Sequence, residues 1–314
     1  MSRTQPWFSI RSLHSTLTTA PLHHCVWVEK TLRGEQTSNP SPEMPSLLQL
    51  RLTRVVGPQV TEREHDRRHS SQTRQRHFSD FGWLKTYWLF SFSGYFDPHN
   101  IQFGALRIFN DDVVEPGTGF PTHPHQEMEI ITVVLDGIMT HQDSMGNKAV
   151  IRAGDVQRMS AGTGLTHSEF NLAQTPVHFY QIWIFPDVSG LEPSYDQKTY
   201  KPSDWRNRLC AVASGQHIAN TVTFHTDATI YRSDLDSGNM VSLEATNGRR
   251  LFVYLTRGSL DVNDHILQEK DQARADIEVP LVVRARQRSE FILIDVPSCK
   301  GWGYDAATLG GTKA

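Results

Sequence analysis

The chain has 314 residues, 38% hydrophobic and 10% aromatic, with 31 Lys+Arg against 34 Asp+Glu and a net charge of −3. That length suits roughly two domains of ~150 residues. The composition excludes a wholly basic nucleic-acid binder, a polyacidic tail and a chain disordered throughout. No apolar run approaches the ~20 residues that cross a bilayer, so no membrane span is expected. Cys25, Cys210 and Cys299 lie far apart with no CxxC pair. Such sparse thiols argue against a disulfide scaffold and fit a reducing, cytoplasmic location.

Residues 1–77 form a first region, with 11 Lys/Arg against 6 Asp/Glu for a net of +5. The remainder holds 20 against 28, a net of −8. The first 28 residues carry Arg3, Arg11 and eight Ser/Thr but no acid, a composition shared with organelle transit peptides. The preferred reading is plainer: a disordered extension, or upstream codons ahead of a true start at Met44. Whether residues 1–69 belong to the mature protein is left open. His23-His24-Cys25 is not read as a metal site, because three adjacent ligands rarely close on one ion. The basic stretch 63–76 is read as a solvated face.

From Phe78 onward, Gly and Pro punctuate short alternating apolar runs every 8–12 residues, the texture of an all-β sandwich or barrel. Strands are expected at 106–110, 128–135, 138–143, 155–159 and 179–185. A second set is expected at 221–226, 228–235, 251–257, 258–262 and 291–296. Ser144-Met145-Gly146-Asn147 reads as a turn with Gly146 at positive φ, and 261–264 as a second hairpin connection. Pro186, Pro193 and Pro202 punctuate a linker at 186–208. The expected organisation is therefore an extension (1–77), a first β domain (78–195) and a second of similar architecture (196–314).

Chemistry concentrates in the first half. In Gly119-Phe120-Pro121-Thr122-His123-Pro124-His125, strand alternation turns His123 and His125 to one side. Two imidazoles on one face suit two adjacent positions of a first-row metal. The same parity is expected to continue through Glu127, Glu129, Ile131, Val133 and Leu135. The Gly-rich loop 160–166 leads to His167 and Glu169, again i and i+2. Three histidines and one carboxylate leave two positions open on an octahedral ion. His141, His99 and His178 are read as structural, with a hydrogen bond to a ligand held open for His141. Phe90, Phe92, Tyr95 and Phe96 are read first as core, with a pocket wall as the alternative. The second half has no HxH or HxE, and His217, His225 and His265 look scattered.

Several stretches carry a resemblance: GWLKTYWLFSFSGYFDP (82–98), ALRIFNDD (105–112), GFPTHPHQEMEI (119–130), HQDSMGN (141–147), AGDVQRMSAGTGLTHSEFN (153–171) and YQIWIFP (180–186). Together they resemble the pirin family, a branch of the cupin superfamily, over about residues 78–300. The resemblance implies a bicupin: two jelly-roll barrels packed face to face, with metal only in the N-terminal one and a degenerate C-terminal partner. It implies His123, His125, His167 and Glu169 as ligands of one divalent ion. Fe2+ is expected, with Zn2+, Mn2+, Co2+, Ni2+ and Cu2+ as alternatives. Glu129 stands where generic cupins place their carboxylate, so it is kept as a rival ligand or a neighbour of one. Two departures stand out: the extension has no counterpart, and Trp88 stands where His is common.

The activity implied is that of the quercetin 2,3-dioxygenases: O2-dependent opening of a flavonol-like ring. A flavonol's 3-hydroxyl and 4-carbonyl can chelate such an ion. Glu169, or alternatively Glu129, would take the hydroxyl proton. The alternative implied by animal pirins is an iron-dependent redox regulator that binds a protein partner. A metal-dependent isomerase or hydrolase is a third reading. The −8 charge of the folded part argues against direct nucleic-acid contact.

Overall fold

The computed structural model describes residues 76–244, 248–263, 265–276 and 280–297. The extension up to residue 75, Cys25 and Cys299 lie outside the described residues. The first half contains β1 (His77–Asp80), β2 (Leu84–Trp88), β3 (Leu106–Val114), β4 (Thr118–His125), β5 (Glu129–Asp136), β6 (Ile138–Asp143), β7 (Lys148–Arg152), β8 (Asp155–Ser160), β9 (Leu165–Asn171), β10 (Val177–Ile184) and β11 (Ser194–Thr199). A single helical turn, α1 (Pro202–Trp205), leads to β12 (Cys210–Ser214), β13 (Val222–Thr223), β14 (Thr229–Leu235) and β15 (Met240–Leu243). β16 (Arg249–Arg257), β17 (Ser259–Val262), β18 (His265–Gln268), β19 (Gln272–Asp276), β20 (Leu281–Ala285) and β21 (Ser289–Pro297) complete the second half. No helix among the described residues is long and apolar enough to cross a membrane.

Each half is a two-sheet cupin-type barrel. The first pairs a seven-stranded sheet (β1-β2-β3-β10-β5-β8-β11) with a four-stranded one (β4-β9-β6-β7). The second pairs β13-β12-β14-β21-β16-β19 with β15-β20-β17-β18. The large sheets face each other. Leu106, Phe109, Ile131, Val133, Tyr180 and Ile182 form one buried cluster with Ile230, Phe252, Tyr254, Ile292 and Ile294. Phe109 lies 5.2 Å from Phe252 and Tyr180 meets Tyr254 edge-on at 5.5 Å, the tilted contacts aromatic rings prefer. Burial of that apolar face drives the docking. At its margin Asp111 accepts hydrogen bonds from Tyr254 Oη (2.7 Å) and His178 Nε2 (2.6 Å).

The turn at 144–147 forms as expected. Gly146 has φ 92°, and Asp143 Oδ1 accepts from the backbone N–H of Met145 and Asn147 at 3.0 Å. Three expectations fail. The strand expected at 221–226 is only the two-residue β13. The stretch 186–208 is not merely a linker, because β11 lies inside it and pairs with β8. The parity of His123 and His125 also does not run on through Glu129. Glu127 sits at φ 50° between β4 and β5, which belong to different sheets. Beyond that break Glu129, Ile131 and Val133 face the second barrel, while Ile130, Thr132 and Val134 face the first barrel's interior. Ile130 accordingly packs with Met159 and Leu165 inside, and Ile131 with the interbarrel cluster.

Candidate metal centre

The four-stranded sheet of the first barrel carries the histidines. On β4, Thr122 and Pro124 are exposed while His123 and His125 turn inward. Gly119 lets β4 lie close on β9, since a Cβ there would stand 2.2 Å from the Glu169 carbonyl oxygen. A bulge between Phe120 and His123 then sets His123 opposite His167. On the other side of β9, His141 of β6 lies opposite Glu169. The mouth loop is held by Gly162, where a Cβ would meet the Leu191 carbonyl oxygen at 2.0 Å.

The rings of His123, His125 and His167 lie 4.4–4.9 Å apart, centre to centre. Their ligand atoms fall within 4.8 Å of one another, and so do those of a second group, His141, His167 and Glu169. The structure thus brings the four expected residues together as two overlapping triads that share His167. Glu169 stands with His141 rather than with the His123–His125 pair.

Proton placement follows from the partners. His123 Nδ1 lies 2.8 Å from the Pro121 carbonyl, which only accepts, so Nδ1 carries the proton and Nε2 keeps its lone pair. His141 Nε2 donates to Asp143 Oδ2 at 3.1 Å, which leaves its buried Nδ1 with a lone pair and no protein partner. This corrects the reading of His141 as a satisfied structural residue. His167 is 2% exposed, and neither ring nitrogen has a partner. Buried polar atoms are rarely left so. Burial, and then the neighbouring charge of His123, pushes the His125 imidazole down to about 3. Burial first, with His123, His125 and His141 adding, holds His167 well below the ordinary histidine range. Both rings are therefore neutral near pH 7, the form that ligates a metal. Orphaned nitrogens on neutral, converging imidazoles fit a bound divalent cation, and a carboxylate adjoins them.

Around this cluster, Trp183 meets the His125 ring edge-on at 4.9 Å and Phe92 meets Trp183 at 5.6 Å. Tyr195 stacks on His141 at 5.1 Å. Phe92 of the aromatic group thus packs on Trp183, the ring that touches His125, while Phe90 packs against Phe252 in the core. His178 is structural, bound to Asp111.

Glu129 belongs to a different place. It is 1% exposed, accepts from Ser160 Oγ at 2.7 Å and lies 3.0 Å from His225 Nδ1 of the second barrel. Arg158 extends this polar bridge, donating to the Thr223 carbonyl and to Ser194 Oγ, both at 2.6 Å. Sequence reasoning named His225 but read it as scattered, since no motif surrounds it; only the parity break at Glu127 turns its partner toward it.

Family comparisons agree with this architecture. The Pirin family model matches residues 69–184, and a model described as a quercetinase C-terminal cupin domain matches 211–296. A pirin-like protein of Caulobacter vibrioides is 40% identical over 218 residues, covering 69% of this chain and 94% of its own. The Escherichia coli K12 protein named quercetin 2,3-dioxygenase is 37% identical over 227 residues, covering 72% and 97%. The crystal structure of the Escherichia coli bacterial pirin YhhW in complex with nickel(II) superposes with a TM-score of 0.69 at 36% identity, covering 73% of this chain and 98% of that one. The fold is that of a bicupin with one histidine-rich barrel. The chain belongs to the pirin family.

Proposed function

We propose that the protein is a metal-dependent dioxygenase that opens a flavonol-type ring with O2. The observation that carries this reading is buried His167, with both ring nitrogens unpartnered, converging with His123 and His125 on one side and with His141 and Glu169 on the other. The names of the relatives supply the substrate class. His123, His125, His167 and Glu169 would hold one divalent ion, Fe2+ first among the candidates, with His141 beside them. Such an ion supplies Lewis acidity, lowering the pKa of a chelating hydroxyl.

The chain's own residues do the rest. Depressed basicity keeps His125 and His167 neutral, so their lone pairs stay available. Trp183, backed by Phe92, walls the site with flat apolar surface, which suits an aromatic substrate and limits water. Glu169 has four lone-pair positions, two of them taken by protein amides. That leaves one for a metal and one to accept the substrate's hydroxyl proton.

The test is spectrophotometric. Protein loaded with Fe2+, and in parallel with Ni2+, is mixed with quercetin under air and under nitrogen. Metal-dependent bleaching in air alone is the expected result. No bleaching of quercetin or simpler flavonols by fully loaded protein would overturn the proposal.

A further inference from the structure

We propose that Gln157 and Gln181 are positioning residues that clamp the Glu169 carboxylate and fix its plane toward the histidine cluster. This rests on the metal-site reading above. Gln157 Nε2 donates to Glu169 Oε1 at 3.2 Å, and Gln181 Nε2 donates to Oε2 at 2.9 Å. All three side chains are buried. The glutamines come from β8 and β10 of the large sheet, and Glu169 from β9 of the small one, so the clamp spans the barrel interior.

Geometry gives the two bonds a role that one would lack. A single donor leaves a carboxylate free to swing about the bonded oxygen. Two donors, one on each oxygen, lose both bonds if the group rotates. Amide orientation is also constrained. The carboxylate itself sets it for Gln157, since the single Tyr195 hydroxyl proton goes to the nearer Gln197 Oε1 at 2.7 Å, against 3.3 Å to Gln157 Oε1. A flipped Gln157 would bring its acceptor oxygen against the carboxylate, two acceptors with no proton between them.

The glutamines also belong to a polar row that the fold does not require. Register places Asn110 opposite Gln181, Gln181 opposite Thr132, and Thr132 opposite Gln157, on four adjacent strands. The matching four strands of the second barrel carry the register row Tyr231, Leu293, Val253 and Ala273. Those residues pack in that barrel's hydrophobic cluster. Burying amides and hydroxyls is costly unless they are partnered, and both glutamine amides of the first row are spent on Glu169.

The test uses the full-length apo-protein with Co2+ as probe. Gln157→Met and Gln181→Met keep side-chain length and remove the donor. Gln157→Asn and Gln181→Asn keep the amide but shorten its reach, and serve if a Met variant misfolds. Thermal unfolding of the apo forms establishes that each variant is folded. Each single variant is expected to bind Co2+ 10–100-fold more weakly, the usual cost of removing an outer partner of a ligand, with an altered visible absorption band. In a Glu169→Ala background the same substitutions should change affinity less than twofold, since nothing remains to be clamped. Unchanged affinity and spectrum in folded variants, or the same loss without Glu169, would overturn the clamp alone. Failure of the wild type to bind Co2+ would overturn the metal-site reading and the clamp with it.

Discussion

The two barrels share the order of their central strands and differ in what fills them. On the small sheet of the first, His123, His125, His141, His167 and Glu169 point inward. On the matching strands of the second, Leu260, Val262, Leu281, Val283 and Ala285 form a buried aliphatic cluster with Leu251, Val253 and Leu293. Both metal-capable groups among the described residues lie in the first barrel. A cupin barrel therefore closes well on hydrocarbon alone. The polar interior of the first costs stability, as expected of a site where function overrides packing.

That comparison can be broken most sharply at the ligands. His123→Ala combined with His167→Ala is expected to lower bound metal from about one ion per chain to near zero, read by elemental analysis after dialysis. Retention of the ion would move the site elsewhere. Next comes the choice between carboxylates. Glu169→Gln should keep part of the metal and lose most turnover, on the order of 100-fold as for a missing general base. Glu129→Gln should leave metal content unchanged, because its bonds go to Ser160 and His225. The reverse pattern would restore the generic cupin glutamate.

Stability sharpens the same contrast. Leu293→Gln places an unpartnered amide in the dry barrel and should cost about 3 kcal/mol in urea unfolding. Thr132→Val should cost less than about 1 kcal/mol or stabilise, since the Thr132 hydroxyl is buried without a partner. A separate effect concerns pH. Burial, with the charges of Asp111 and Glu169 adding, pushes the Asp112 carboxyl up to about 8. The native state thus keeps a proton that the unfolded chain loses near pH 4, and native stability falls as pH climbs between those values. Asp112→Asn should flatten that decline between pH 5 and 8, measured by urea unfolding at each pH. An unchanged slope would show Asp112 to be ionised in the folded protein.

Much of the site was legible in the sequence, because strand alternation is local. Thr122-His123-Pro124-His125 and His167-Ser168-Glu169 needed only a period of two. The all-β, two-barrel reading likewise followed from turn spacing and the family motifs. What stayed hidden depends on register between distant strands. Nothing near His141 shows that it lies opposite Glu169, and no motif ties Gln157 and Gln181 to that carboxylate. The inward face of β5 was misassigned because a glutamate gives no local sign of positive φ, and Glu127 adopts it where the chain passes between sheets. β11 was overlooked for a related reason. Its SYDQKT sequence, half-buried from Ser194 to Lys198 and exposed at Thr199, has no apolar alternation to announce it.

The central claim is that one barrel holds the metal and the other only packs. Anomalous diffraction from crystals of the full chain grown with Ni2+ tests it most directly. The expected result is a single peak per chain, bounded by His123, His125, His167 and Glu169. A peak inside the second barrel, or one ligated by Glu129 and His225, would contradict it.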